Sequence, residues 1–283
     1  MHGAVAAERT QDAVEPAVGH PTRDSEHRRA GDTMSPMRIA DGIHRIGTAG
    51  MINSYLIEEA GAVTIVDAGL PGYWRDLPRE LAAMGRSLAD VRAVVLTHGH
   101  SDHIGFAERI RRERGVPIHI LDLDAALARG EVRSAASSRG PMRIAPMLRF
   151  IWFGLRHGMR GGTVIAEVST FGDGATLDVP GAPRVIALPG HTPGSAALHL
   201  ASRDTLFVGD ALATYAVTTG VQGPAIAPFS ADPATALASL TRLDGVEASL
   251  VLPGHGQPWT DGVADAVRLI RAEAAASASS LPD

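Results

Sequence analysis

From about residue 37 onwards, short apolar runs alternate along the chain with turns that contain glycine and proline. Short apolar runs bounded by turn residues are typical of strands in a buried sheet. The glutamates and Gly61 between two of these runs indicate a hairpin turn. The pattern predicts strands over residues 43–46, 53–57, 62–66, 91–96, 116–120, 164–168, 175–179, 184–188, 196–200, 205–208 and 248–252.

Helical spacing of apolar residues separates several of these strands. Trp74, Leu77, Leu81 and Met84 recur every three or four residues, which predicts an amphipathic helix over residues 73–84. The same reasoning predicts helices over residues 104–114, 232–243 and 261–274. Helices interspersed among strands indicate one large domain that combines α and β structure.

The two ends and one internal stretch lack this regularity. Residues 1–36 are polar and aperiodic, which predicts a disordered N-terminal leader, and residues 276–283 are expected to be a frayed tail. The domain is therefore placed at residues 37–275. Within it, an arginine-rich insertion is expected at about 130–165, because residues 133–166 contain six arginines and no acidic residue.

Composition removes several classes of function. The net charge is −5, so the chain as a whole offers no attraction for nucleic acid or for an anionic membrane. The absence of cysteine excludes disulfides and thiolate metal sites. No apolar run is long enough for a transmembrane helix, and the N-terminus lacks an apolar signal core. We therefore expect a cytoplasmic protein that acts on a small molecule.

The strongest chemical signal is the sequence His-Gly-His-Ser-Asp-His at residues 98–103, which follows a predicted strand. Imidazole and carboxylate groups are suitable ligands for zinc, iron or manganese. In extended chain His98 and His100 project to the same side, whereas Asp102 and His103 lie where the chain turns into a helix. The motif therefore predicts two adjacent metal sites.

This H-x-H-x-D-H pattern resembles the signature of the metallo-β-lactamase superfamily. That family takes further ligands from three later loops, and His191, Asp210 and His255 each follow a short apolar run here. The sequence Leu-Pro-Gly-His occurs twice, ending at His191 and at His255. The resemblance implies a four-layer αββα sandwich with its site at one edge of the sheets.

The resemblance also implies the role of each residue. His98, His100 and His191 would hold one metal ion, and Asp102, His103 and His255 would hold the second. Asp210 would bridge the two ions, and Asp67 would support the metal histidines. Two divalent ions are expected, zinc first, with iron or manganese as alternatives. A bridging hydroxide would attack the substrate, with Asp102 and Asp210 as the catalytic carboxylates.

The ligand set is shared with glyoxalase II and the acyl-homoserine lactonases. The absence of cysteine excludes the zinc β-lactamases that use a cysteine ligand, and Asp210 argues against the histidine-rich ones. We therefore expect a binuclear hydrolase of a small ester, thioester or lactone. Three alternatives remain: a phosphodiesterase with the same metal pair, a mononuclear-iron sulfur dioxygenase, and an inactive metal-stabilised binding or regulatory module.

Substrate contacts are expected in two regions that sequence alone does not orient. The insertion could be a basic lid whose Arg149 and Arg156 bind an anionic substrate, a membrane-surface or partner contact through residues 142–160, or a helical segment packed on the domain. Tyr215 follows the bridging carboxylate and is a candidate hydrogen-bond donor to the substrate.

Overall fold

The computed structural model describes residues 1–2, 37–47, 50–135, 140–159 and 162–279. By internal contacts the chain divides into residues 1–34 and residues 35–283, and the fold described here is that of the second unit. The predicted leader lies almost entirely outside the described residues, as do residues 280–283 of the predicted tail.

The strands and helices of the described chain follow one another in a mixed order. The strands are β1 (Met37–Ala40), β2 (Ile43–Ile46), β3 (Ser54–Glu59), β4 (Ala62–Val66), β5 (Val91–Val95), β6 (Ile118–Leu121), β7 (Ser169–Phe171), β8 (Arg184–Ala187), β9 (Ala196–Leu200), β10 (Thr205–Gly209), β11 (Ala213–Tyr215), β12 (Gln222–Ala225) and β13 (Leu250–Pro253). The helices are α1 (Leu77–Ala83), α2 (Ala107–Arg114), α3 (Ala125–Ala128), α4 (Ile144–Arg156), α5 (Pro233–Ser239) and α6 (Val263–Ser279).

Two larger sheets carry most of these strands. The first has the order β1-β2-β3-β4-β5-β6-β7, antiparallel from β1 to β4 and parallel from β4 to β7. The second has the order β13-β10-β9-β8, and β11 pairs with β12 as a separate ribbon. The predicted hairpin between β3 and β4 is confirmed; Ala60 and Gly61 at its tip both have positive φ, as a two-residue type I′ turn requires.

Three apolar clusters define the four layers. One lies between the first sheet and helices α1 to α4, with Leu56, Leu81 and Ile110 in the same cluster. A second lies between the second sheet and the helices on its other side, α6 among them. The third lies between the two sheets, where Tyr55 meets Phe207 edge to face. The predicted αββα sandwich is therefore confirmed.

Several predicted elements have different boundaries. The helix expected over 73–84 is a 3₁₀ turn at Pro71–Arg75 followed by α1, because Pro78 near the start of α1 cannot donate a backbone hydrogen bond inside a longer helix. The strands expected over 164–168 and 175–179 are wrong: β7 begins at Ser169, and only Thr176 forms an isolated bridge. The final helix continues to Ser279, into the expected tail.

No helix in the described ranges is both long and apolar enough to cross a bilayer. The cytoplasmic location stays a prediction.

Gly105 permits close contact between two segments that border the site. A Cβ atom placed there would lie 2.3 Å from the Gly69 carbonyl oxygen and 2.4 Å from the Leu70 carbonyl carbon, both backbone atoms. We expect Gly105→Ala to lower the free energy of unfolding by about 1–3 kcal/mol, because backbone must move to admit the methyl group. Urea unfolding measures this, with Gly172→Ala as the control, since nothing lies within 4 Å of a Cβ there. Equal stability of the two variants would contradict the expectation.

Candidate metal centre

The predicted ligands lie at the ends of strands that belong to both sheets. Residues 98–103 follow β5, and Asp67 follows β4 beside it. His191 lies in the turn between β8 and β9, Asp210 directly follows β10, and His255 follows β13. Because β10 and β13 are parallel neighbours, their carboxyl ends deliver Asp210 and His255 to the same edge.

All seven predicted ligands meet at this edge. Three groups have ligand atoms within 4.8 Å of one another, and each group could hold a metal ion. The groups are His98, His100 and His191; His98, His103 and Asp210; and Asp102, His103 and His255. The first and third groups correspond to the two ligand sets expected from the sequence.

Asp210 lies between the two sets. One carboxylate oxygen, Oδ2, is 3.0 Å from His255 Nε2 and 3.5 Å from His191 Nε2, while Oδ1 is 3.5 Å from His103 Nε2. Asp102 Oδ2 is 3.6 Å from His255 Nε2. Asp210 thus contacts histidines of both sets, which is the position that a bridging carboxylate would need.

The outer nitrogens of three imidazoles are held by the surrounding protein. His103 Nδ1 donates to Asp67 Oδ2 at 2.8 Å, and His255 Nδ1 donates to the Met51 carbonyl at 2.6 Å. His191 Nδ1 lies 3.2 Å from Ser230 Oγ. These contacts fix each ring so that Nε2 faces the other ligands, and a ring that donates from Nδ1 keeps the lone pair on Nε2 for a metal.

The remaining two histidines use different ring nitrogens. His98 Nδ1 lies 3.1 Å from Thr97 Oγ1, so its Nε2 faces the cluster as well. His100 is reversed: its Nδ1 is 2.9 Å from His191 Nε2, and its Nε2 contacts Ser134 Oγ at 2.8 Å. His100 would therefore ligate through Nδ1, with Ser134 orienting the ring from the outside.

Unpaired polar atoms at the centre of the cluster test whether a metal fits. Within the described structure, the buried atoms His98 Nε2, His103 Nε2 and Asp210 Oδ1 have no hydrogen-bond partner. Buried nitrogen and oxygen atoms without partners are costly, because they lose their hydrogen bonds to water without replacement. Cations bound among these three atoms would offset the cost of their missing hydrogen bonds. The donor set therefore fits divalent metal ions.

Burial and neighbouring charges shift the pKa values of the proposed ligands in different directions. Burial lowers the pKa of His98 well below its usual value and, despite Asp210, that of His191 to about 4. Burial also lowers the pKa of His103, but Asp210, Asp67 and Asp102 outweigh it and raise the pKa to about 10. Burial raises the pKa of Asp210, but His255 and His103 hold it well below the usual range. Asp210 is thus a carboxylate that carries negative charge into a buried cluster.

Asp67 has the supporting position that the sequence predicted. Besides its contact with His103, it accepts hydrogen bonds from the Thr97 backbone N–H and the Thr97 hydroxyl, both at 2.8 Å. Its backbone has a φ of 59°, a left-handed conformation that aspartate tolerates better than most residues. Asp67 therefore links the end of β4 to the segment that carries the first ligands.

Asp124 is a supporting residue that the sequence did not reveal. Its fully buried carboxylate accepts hydrogen bonds from the Gly99 N–H, the Thr192 hydroxyl and the Gly194 N–H, each at 2.7 Å. It thereby joins the loop of His98 and His100 to the loop of His191. No local pattern marks Asp124, because its partners lie far from it in sequence.

A cavity of about 690 Å³ opens over the cluster. Its described lining includes His100 and Asp102 from the first motif and Arg133, Ser134 and Phe150 from the insertion. The other apolar side chains of the lining are Leu127, Val132, Ala135, Met159, Val164 and Phe229. Residues of the insertion therefore form one wall of the cavity, while its role as a lid stays a prediction.

The three expected substrate contacts lie elsewhere. Arg149 is exposed and is absent from the described lining of the cavity. Arg156 lies on the outer side of α4, with its guanidinium 5.3 Å from the Trp152 ring. Tyr215 packs against the apolar cluster under the first sheet. Arg133, an exposed residue of the irregular segment that follows α3, is the arginine in the described lining of the cavity.

Comparisons with known proteins agree with this geometry. The family profile of the metallo-beta-lactamase superfamily matches residues 47–255. The probable metallo-hydrolase YflN of Bacillus subtilis (strain 168) is 29% identical over 238 residues, which cover 78% of this chain and 86% of YflN.

Two solved structures share the fold with moderate sequence identity. The metallo-beta-lactamase family protein TTHA1429 from Thermus thermophilus is 26% identical, has a TM-score of 0.60, and matches over 84% of this chain and 81% of its own. TTHA1623 in a di-iron-bound form is 26% identical, has a TM-score of 0.52, and matches over 76% of this chain and 92% of its own.

Proposed function

The chain belongs to the metallo-beta-lactamase superfamily and is a metal-dependent hydrolase, and we propose that it uses two divalent metal ions to hydrolyse a small carboxylic ester, thioester or lactone. The observation that carries the proposal is the set of unpaired buried atoms His98 Nε2, His103 Nε2 and Asp210 Oδ1, whose residues form one group of possible metal ligands next to the cavity that His100 and Asp102 line. His98, His100 and His191 would hold one ion, and Asp102, His103 and His255 the other.

The contacts of Asp210 favour two bound metal ions over one. It contacts His191 of one set and both His103 and His255 of the other, so its charge serves both positions. A relative described in a di-iron-bound form supports the same stoichiometry, although it leaves zinc, iron and manganese open for this chain. Such an ion pair, when bound, polarises the substrate and lowers the pKa of a shared water towards neutrality.

The residues of the chain itself bind and orient the substrate. Phe150 and Phe229 provide an apolar wall that would exclude water from one side of the reacting group, and Arg133 would bind a carboxylate or other anionic group of the substrate. Asp102 is the ligand carboxylate that lines the cavity, so it is the group placed to accept a proton and return it to the leaving group.

Metal content and a substrate panel test this proposal together. The untagged full-length chain, purified without chelator, should contain about two divalent ions per chain by elemental mass spectrometry. It should hydrolyse p-nitrophenyl butyrate, a butyryl thioester or a γ-lactone faster than bis(p-nitrophenyl) phosphate, and dialysis against chelator should remove activity that added metal restores.

Other outcomes would replace the proposal with a specific alternative. A preference for the phosphodiester would make the chain a phosphodiesterase. One iron per chain with oxidation of a persulfide substrate would indicate a sulfur dioxygenase. A fully loaded chain without turnover on any substrate would indicate a metal-stabilised binding module.

A further inference from the structure

Helix α4 exposes an apolar surface that nothing in the described chain covers. Its inner side packs on the domain through Phe150 and Phe153, which are 8% and 9% exposed. Its outer side presents a run of large apolar residues at helical spacing, which we call the apolar stripe. The apolar stripe consists of Ile144, Leu148, Ile151, Trp152 and Leu155, which are 80%, 60%, 43%, 62% and 55% exposed.

A helix that is apolar on both sides is typical of a buried element. Scattered exposed apolar residues are normal, but a contiguous patch marks an interaction site. The spacing of the apolar stripe, with steps of four, three, one and three residues, places all five side chains on one side of α4. The surface therefore has the character of one that an occupant covers.

The charges around the apolar stripe are positive. Arg149 and Arg156 follow one border of it, and Arg143 precedes the helix. Residues 132–166 contain no aspartate or glutamate, although the chain as a whole has a net charge of −5. Arg143, Arg149 and Arg156 have no carboxylate partner among the described residues. The occupant should therefore combine apolar surface with negative charge.

A cleft at the C-terminal end of α4 extends this positive surface. It has a volume of about 500 Å³ and is lined by Arg75, Arg109 and Arg156, which define what we call the arginine cleft. Leu155 of the apolar stripe lies on the same wall. Asp76 also lines the cleft but lies 3.4 Å from Arg79, and Arg109 contacts Glu113 at 2.7 Å. Arg75 and Arg156 have no ion-pair partner among the described residues, and two such guanidinium groups in one cleft, beside the paired Arg109, are suited to a phosphate group.

A second copy of the chain fits this surface poorly. In a two-fold dimer the same patch would face itself. Arg149 and Arg156 of each copy would then approach a surface that offers no acidic residue between positions 132 and 166. Like charges without partners at an interface disfavour association.

We propose that the apolar stripe and the arginine cleft dock this chain on an anionic phospholipid surface. The apolar side chains would lie in the plane of the interface, as in other amphipathic helices that bind without crossing the bilayer. The arginine cleft would hold the phosphate of a lipid headgroup. Trp152, beside Arg156, would lie at headgroup depth, where aromatic side chains are favoured. The docking requires neither bound metal nor hydrolysis, so it stands or fails independently of the proposed function.

Vesicle flotation tests the docking with the full-length chain. It should bind vesicles that contain phosphatidylglycerol and not those of phosphatidylcholine alone, and binding should weaken as salt is raised. The exposed Trp152 should give a blue-shifted fluorescence in the bound state, and this shift should disappear in Trp152→Gln, which retains Trp74 and Trp259.

Matched variants separate the two parts of the surface. Arg75→Gln/Arg156→Gln should weaken vesicle binding by roughly fivefold for each arginine removed. The control Arg92→Gln/Arg184→Gln changes the net charge equally at exposed positions outside the arginine cleft and should bind as the parent does. Leu148→Gln/Leu155→Gln should weaken binding at least about tenfold through lost apolar burial.

Three results would overturn the proposal. They are the absence of binding to anionic vesicles, an equal loss of binding in the two arginine pairs, and a concentration-dependent dimer that Leu148→Gln/Leu155→Gln dissociates. The last result would assign the apolar stripe to self-association.

Discussion

Asp210→Asn is expected to leave the fold intact, to lower metal content from about two ions per chain to one or fewer, and to reduce ester hydrolysis by about a thousandfold. The amide has the shape of the carboxylate but neither its charge nor its second acceptor oxygen. Removal of a residue that only supports a metal ligand costs roughly 10- to 100-fold. Loss of the carboxylate that contacts both ligand sets should cost more, since it affects both ions.

The local charges explain why the effect should be so large. Asp210 is 4% exposed, and its carboxylate faces His103, His191 and His255. The asparagine would direct an N–H₂ group towards at least one imidazole nitrogen that the ligand geometry reserves for a metal. The substitution would weaken the attraction for the metal ions and disturb the orientation of the imidazole lone pairs.

Elemental mass spectrometry and p-nitrophenyl ester turnover at saturating metal measure the two effects separately. Asp178→Asn is the matched control, because it removes an exposed carboxylate that is neither a proposed ligand nor part of the described cavity lining. If Asp210→Asn retained two ions and more than a tenth of the parent turnover, Asp210 would not be the bridging ligand and the proposed centre would need another arrangement.

The positions of the proposed ligands could be predicted from sequence because each follows an element that the local pattern reveals. His191, Asp210 and His255 follow short apolar runs, and such runs are strands whose ends converge in this fold. The hairpin at Ala60 and Gly61 is equally local, since its turn residues lie between two runs that pair with each other.

The errors have physical causes that a local pattern does not contain. Val164 and Val168 flank the fully buried Ile165, so the run indicated burial, but its backbone does not pair until β7 begins at Ser169. Composition drew attention to Arg149 and Arg156 but does not fix where their side chains point, and neither is in the described lining of the cavity, so their role in substrate binding stays a prediction. Side-chain direction on α4 depends on which face packs on the domain, and Phe150 and Phe153 decide that only in the folded chain.

Asp124 likewise has no local sequence signal. Its removal should have the second largest effect on the proposed metal centre. We expect Asp124→Ala to weaken metal binding by about 10- to 100-fold, as loss of a group that orients metal ligands typically does. The Gly99 and Gly194 N–H groups and the Thr192 hydroxyl would lose their acceptor in a buried position. The two ligand loops would then no longer be held at a fixed separation.

Asp124→Asn should have an intermediate effect. Its single carbonyl oxygen can replace Oδ2, which accepts from Gly99 and Thr192, but its N–H₂ group would then face the Gly194 N–H. Competition with a chromogenic chelator, well below the unfolding temperature, measures the dissociation constants of the parent and both variants. Thermal unfolding recorded in parallel reports stability.

The control distinguishes positioning of the ligands from general destabilisation. Glu80 is another buried carboxylate, 2% exposed, and its partners are Met37, His44 and Arg79, none of them a proposed ligand. Glu80→Ala should lower the unfolding temperature and leave the metal dissociation constants unchanged. If Glu80→Ala weakened metal binding as much as Asp124→Ala does, Asp124 would be a stabilising residue only. If the affinity instead falls from the parent to Asp124→Asn and again to Asp124→Ala, while Glu80→Ala binds normally, Asp124 sets the separation of the two ligand loops.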